Sequence, residues 1–190
     1  MTLERSFQEL GLKLQILLET IDQRLHWAVT EGKPVRSVKG ARVEEDHVLL
    51  TRFDESAVEL ASFVSEAIAA STTGRQAVAG KIDLLSAREA LIKCQKLFNQ
   101  FSAGFFGEMV SFEALDDLHS LAREHSNWQQ WVSGVKDALQ HCRQPVVEVN
   151  QVLFELWQEI TEHGALASVS VQAISTGQHI NFTPEKASQT

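Results

Sequence analysis

Pairs of histidine and carboxylate side chains are the residues of this sequence that could do chemistry. Such pairs can bind a metal ion or transfer protons when one helix face presents them together. Helical di-iron bundles need a carboxylate-x-x-His pair on each of two helices and a further Glu from each of two others. The pairs in this sequence, with mixed spacings of three and four, are Glu44/His47, Asp116/His119, Asp137/His141 and Glu159/His163. They do not reproduce the di-iron pattern, and we expect neither a metal site nor a cofactor.

Nucleophilic catalysis has no recognisable motif here. Cys94 falls on the apolar seam of a predicted helix, where a free cysteine is usually a small core residue. Cys142 follows His141, but adjacent residues on a helix diverge by about 100° and do not face each other. The sequence contains neither a Gly-x-Ser-x-Gly elbow nor a glycine-rich phosphate loop. We therefore expect no catalytic residue. The alternative is a small helical enzyme, or a ligand- or metal-binding bundle, that uses His and carboxylate groups.

A short basic segment is a candidate for binding a partner. Lys33, Arg36, Lys39 and Arg42 recur every three residues with no acid between them. In an extended stretch with three residues per turn, these cations would line one edge. They could then contact a phosphate-rich ligand or an acidic protein surface. A solvated loop, neutralised by the acids at 44–46, is the alternative.

Tryptophan supplies a second candidate contact. Trp128 and Trp131 stand three residues apart and so share a helix face, whereas Trp157 lies off the apolar line of its own helix. Trp157 either joins a tryptophan cluster between the last two helices or serves as an exposed interface anchor. The second interpretation draws on the enrichment of Trp at interfaces.

Composition and charge restrict the class of partner. The 190 residues are 44% hydrophobic and 22% charged, as in globular proteins, and 3 Pro and 10 Gly are few for an all-β fold. The net charge is −8, and residues 101–190 contribute −7 of it through 4 Lys/Arg against 11 Asp/Glu. Proteins that bind nucleic acid or anionic membranes usually carry a basic surface, so neither partner is expected. Two cysteines are too few for a disulfide framework, and we expect a cytoplasmic protein.

Helical periodicity dominates the elements that must position these residues. Apolar residues spaced by three and four predict a first helix over 3–30. The later helices are predicted, in order, from Asp54 or Ser56 to the polar cluster at 71–74, over 81–102, over 111–122, from Ser126, and from Pro145 to Gly164. Gly and Pro, together with the polar clusters, mark the breaks between them.

Two segments instead suggest β-structure. Residues 35–52 fit either a short hairpin or a loop that leads into the second helix. Residues 168–174 alternate with the strand period of two, 175–177 suggest a turn, and 178–182 alternate again. An isolated hairpin is marginal in water, so this one would need a neighbour.

The sequence therefore predicts a mainly α protein, an antiparallel bundle of five or six helices in residues 1–164 with a small β-hairpin and polar tail in 165–190. Its expected function is non-enzymatic: an adaptor, regulator or small subunit that binds another protein or a second copy of itself. Binding would use an acidic helical surface and the C-terminal β segment, which could add a strand to a partner's sheet. The candidate contact residues are Lys33, Arg36, Lys39, Arg42, Trp157, Val169, Val171, Ile180 and Phe182.

Overall fold

The computed structural model describes residues 2–30, 42–117 and 126–175, and the regular structure in these ranges is entirely α-helical. Four helices account for it: α1 (Leu3–Thr30), α2 (Arg42–Val78), α3 (Leu84–Asp117) and α4 (Ser126–Ser175). At about 1.5 Å per residue, the 50 residues of α4 span about 75 Å, much more than the other three helices.

The helices form a four-membered antiparallel ring around one core. Each helix packs against two others, in the pairs α1–α2, α2–α3, α3–α4 and α1–α4. Contacts along a pair run in opposite directions. Ser6 of α1 donates to Glu159 of α4, while Lys13, further along α1, pairs with Glu148, which comes earlier in α4. The other three pairs show the same reversal.

The apolar stripe of α1 shows why these residues build a bundle. The predicted helix over 3–30 is confirmed, and its side chains at three–four spacing are buried. They are Leu3, Phe7, Leu10, Leu14, Leu17, Ile21 and Leu25. Each large aliphatic side chain buried in this way contributes about 1.5–3 kcal/mol from the removal of apolar surface from water.

An aromatic cluster closes the core at one end of the bundle. The rings of Phe53, Phe112 and Trp131 meet edge to face, with centroids 5.1 to 5.7 Å apart. Edge-to-face pairs of this kind contribute about 0.5–1.5 kcal/mol beyond the area they bury. Trp131 therefore packs with phenylalanines of α2 and α3 rather than with Trp157.

The prediction of five or six helices is wrong because two predicted breaks, one at 103–110 and one at Pro145, lie inside helices, and α2 also continues past its predicted end at 71–74. Ser71 and Thr72 donate their hydroxyls to the carbonyl of Ile68 at 2.7 and 3.2 Å, so a polar cluster that resembles a linker is satisfied within α2. In α3, Gly104 sits where a Cβ would lie 3.0 Å from Leu60, so this glycine permits close packing rather than a turn. Most of the segment expected at 81–102 and residues 111–117 of the next are thus joined in α3, while 118–122 lie outside the described residues.

Pro145 likewise does not divide α4, which is continuous from Ser126 to Ser175. A proline inside a helix removes one backbone hydrogen bond and costs about 3 kcal/mol or more. The burial of Cys142, Val146 and Val149 on either side of it offsets that cost.

The predicted β-structure is also wrong wherever the structure tests it. Residues 168–174 belong to α4, so Val169 and Val171 lie in a helix, while Ile180 and Phe182 lie outside the described residues. Extending an existing helix adds a hydrogen bond per residue without a new nucleation cost, and a seven-residue alternation does not override that. The proposed boundary at 164/165 falls within α4.

The N-terminal hairpin alternative at 35–52 meets the same correction. The helix α2 begins at Arg42, so residues 42–52 form neither a strand nor a loop, and 35–41 lie outside the described residues. None of the described helices combines the length and apolar composition needed to cross a membrane.

The turn between α2 and α3 has clear local causes. Gly80 has a φ of +72°, a left-handed value that favours glycine. Asp83 then caps α3: its Oδ1 accepts from the Ser86 N–H at 3.1 Å and its Oδ2 from the Ser86 hydroxyl at 2.7 Å. These hydrogen bonds to Ser86 lower the pKa of Asp83 below its ordinary 3.8.

Candidate protein-binding groove

The predicted basic segment is mostly beyond what the structure describes. Lys33, Arg36 and Lys39 lie outside the described residues, and Arg42 is the first residue of α2. Because Arg42 lies in a helix, it does not belong to the extended stretch with three residues per turn that was predicted for the four cations.

The histidine–carboxylate pairs that can be examined do not form a metal site. His141 and Asp137 make an exposed contact on α4, with Nδ1 3.5 Å from Oδ2. Glu159 instead accepts a 2.7 Å hydrogen bond from the Ser6 hydroxyl. Among the residues that the structure describes, no group of three His, Cys, Asp or Glu could hold a metal ion.

The two cysteines are buried, unpaired thiols. Burial raises the pKa of both Cys94 and Cys142 to about 12, so each is protonated at neutral pH. The Cys94 thiol contacts the carbonyl oxygen of Ala67 at 3.4 Å across the α2–α3 interface. Because the thiolate is the nucleophilic form, neither side chain is poised for covalent catalysis.

A groove between α3 and α4 is the site with a distinct surface chemistry. It has a volume of about 490 Å³. The residues that line it are Ile92, Gln95, Lys96, Asn99, Gln100 and Ala103 of α3, and Trp157 of α4. Aliphatic and indole surface is therefore combined with carboxamides that can donate and accept hydrogen bonds.

Trp157 connects the two walls of this α3–α4 groove. Its indole Nε1 donates to Gln95 Oε1 at 3.2 Å, and its ring is half-buried against the core. The side chain of Trp157 is thus half-buried rather than fully exposed, and its role as a contact residue stays a prediction. The ring is partly packed and partly open to the groove, as an amphipathic ring can be.

The α3 wall carries apolar residues at a seven-residue spacing. Leu85 and Ile92 are seven residues apart, and Phe106 follows after fourteen, with the groove-lining Asn99 at the position between; seven residues are about two helical turns, so all lie on one flank. Ile92 lies one turn before Gln95, which faces α4, so the flank is the one beside the groove. Val110 continues it, and the four apolar side chains are 49 to 70% exposed.

The α4 wall repeats this arrangement. Val147 and Phe154 are seven residues apart, and Trp157 follows Phe154 by one further turn. Val147 and Phe154 are 57 and 59% exposed. The two walls together hold six of the eleven large hydrophobic residues that are exposed in the described part of the chain. Scattered surface residues would not concentrate along one seam.

The groove exists because α3 and α4 pack less extensively than the other three pairs. Residues eighteen apart on a helix share a face after about five turns. On the α3-facing side of α4, Val132 is buried and Asn150, eighteen residues later, is exposed; Leu139 is buried and Trp157 is half-buried. The seam is therefore closed at the aromatic end and opens toward Trp157.

Sequence reasoning identified Trp157 but missed the walls around it. The signal was present, because Ile92, Phe106 and Phe154 are large apolar residues displaced from the inward stripes of their helices. A trough bounded by two helices, with apolar flanks and an indole in its floor, can accept a third helix. No protein-family model matches the sequence, and the comparisons with curated proteins and with solved structures found no match.

Proposed function

We propose that this protein is a protein-interaction module that takes an amphipathic helix of a partner into the α3–α4 groove. The observation that carries the proposal is the pair of exposed apolar walls, one on each helix, with Trp157 between them. Helix-in-groove recognition uses anchors at i, i+3 or i+4, and i+7. The seven-residue spacing of both walls matches two turns of such a helix.

The proposed role is that of an adaptor, regulator or small subunit, without strand addition. Strand addition at 168–174 is excluded because that segment is helical. A partner helix would cover Ile92, Phe106 and Phe154, which are 49 to 59% exposed, so each would contribute roughly half of the 1.5–3 kcal/mol that burial of a fully exposed side chain provides. We further propose a cytoplasmic location, which draws on the unpaired state of both cysteines.

Serine substitutions in the groove test this function. We expect the double variant Ile92→Ser/Phe154→Ser to lose at least tenfold of the partner recovered by affinity purification of the full chain, because two anchors lose their apolar contact. The matched control is Leu12→Ser/Val58→Ser, whose parent side chains are 58 and 70% exposed on α1 and α2. All four positions are on the surface, so both variants should keep the wild-type circular dichroism spectrum.

The readout is quantitative mass spectrometry of co-purified proteins. The proposal predicts a protein that the wild type and the control retain equally and the groove variant loses. Equal recovery of every co-purified protein by the two variants would contradict it. A dimer of the chain that dissociates only in the groove variant would assign the groove to a second copy.

A further inference from the structure

We infer that the partner helix is acidic, an inference that rests on the proposed function of the α3–α4 groove. Exposed cations border both walls. Arg88 lies one turn before Ile92 on α3, Lys96 lines the groove itself, and Arg143 lies one turn before Val147 on α4. A helix seated between these walls would meet positive charge on both sides.

The acidic residues of α4 lie away from the groove. Glu148 pairs with Lys13 of α1 at 3.5 Å, and Glu159 accepts from Ser6 of α1 at 2.7 Å, so this side of α4 faces α1. Asp137, Glu155 and Glu162 lie on that side or on the outer face by helical spacing.

Between Leu84 and Glu113 of α3, two acids share the groove side by helical spacing: one is Glu89, seven residues before the groove-lining Lys96, and the other is Glu113. Glu113 follows Phe112, whose ring packs on Trp131, and so it lies at the aromatic end where the seam is closed. The open part of the groove is therefore bordered by three cations, Arg88, Lys96 and Arg143, against the acid Glu89, in a chain whose net charge is −8. The excess of positive charge beside the groove, on a chain that is negative overall, is the observation that favours an acidic partner.

Rim charge of this kind affects the specificity of binding more than its affinity, because the affinity comes mainly from the apolar contacts. Complementary potentials accelerate encounter and disfavour partners of the wrong sign. Exposed ion pairs at a rim are screened by salt, since the Debye length is about 8 Å at physiological ionic strength. An acidic partner helix should consequently bind with a marked dependence on salt, whereas a neutral apolar helix should not.

Selection from a displayed library of helical peptides tests the inference with the full-length chain. The library holds amphipathic helices whose apolar positions are constant and whose flanking positions are acidic, neutral or basic. We expect the enriched peptides to be acidic. Their Kd should weaken about tenfold for the charge variant Arg88→Gln/Lys96→Gln/Arg143→Gln.

The matched control removes two arginines and one lysine from other surfaces: Arg5→Gln/Lys13→Gln/Arg75→Gln. It should bind the enriched peptides within about twofold of the wild type, because the change in net charge is equal but lies outside the groove. Raising the salt concentration should weaken binding to the wild type and to this control more than binding to the charge variant.

The remaining outcomes separate this inference from the proposed function. One outcome is enrichment of neutral or basic peptides that bind the wild type and the charge variant equally but do not bind Ile92→Ser/Phe154→Ser. This result would overturn the acidic partner and leave the groove function intact. Peptides that also bind the groove variant unchanged would overturn both. Enrichment of no peptide would overturn the inference. So would poly(U) RNA that binds the wild type and not the charge variant, since it would make the cations a nucleic-acid contact.

Discussion

The missing Cβ of one glycine determines how closely α1 and α2 approach. A Cβ built on Gly74 would lie 2.6 Å from Cδ1 and 2.7 Å from Cζ of Phe7, inside van der Waals contact. Phe7 is fully buried, so its ring has little freedom to move aside. At the residue scale, the glycine of the polar cluster at 71–74, which suggested a linker, is therefore explained by its packing against Phe7 of α1.

Substituting Gly74 by alanine should destabilise the fold. The added methyl group would overlap the Phe7 ring, and we expect a loss of about 1–3 kcal/mol in the free energy of unfolding, measured by urea denaturation. Gly107→Ala is the matched control, because among the described residues nothing lies within 4 Å of its Cβ position. This change inside α3 should stabilise by about 0.5–1 kcal/mol. Equal effects at the two glycines would refute the close approach.

Element boundaries show which parts of the fold were predictable from sequence. The helix over 3–30 was, because Leu10, Leu14 and Leu17 repeat with a period that only a helix buries on one side. The continuation of α2 beyond 71–74 and of α3 through 103–110 was not predictable from sequence. It depends on hydroxyls that bond within the helix, such as Ser71 on Ile68, and on a tertiary neighbour of Gly104. Likewise Trp157 could be singled out, but the groove around it depends on how far α3 and α4 separate.

The capping of α3 by Asp83 gives a pH-dependent contribution at the element scale. Hydrogen bonds from Ser86 lower the pKa of Asp83 in the folded state below the ordinary 3.8. Its stabilising contribution is therefore complete above the unfolded pKa and is lost as the pH falls through the lower folded value. We expect the urea midpoint of Asp83→Ala to lie below that of the wild type at pH 7.

The gap between those two midpoints should stay constant down to about pH 5 and narrow below the ordinary pKa of 3.8. Ser86→Ala is a partial control, because it removes the hydroxyl donor and leaves the backbone N–H bond to Oδ1. Its midpoint should fall between the other two at pH 7. A gap that widens as the pH drops would contradict the role of Asp83 as an ionised cap.

At the scale of the whole molecule, three of the four pairs formed by the described helices pack extensively and one, α3–α4, is left partly open. The open seam is where the exposed apolar residues and the cations coincide, on a chain that is acidic overall. The sequence indicated a protein-binding role mainly through what it lacked. The structure adds a particular surface, with walls on α3 and α4 and Trp157 in its floor.

Photo-crosslinking from inside the groove tests the central claim most directly. A benzoylphenylalanine placed at Asn99, which lines the groove, should crosslink to a helical segment of a partner protein, mapped by mass spectrometry. The same probe at Ser62, on the exposed side of α2, should not capture that segment. The Asn99 product should also disappear in the Ile92→Ser/Phe154→Ser background. An Asn99 product that persists in that background, or that matches the Ser62 product, would contradict the assignment of the α3–α4 groove as the binding site.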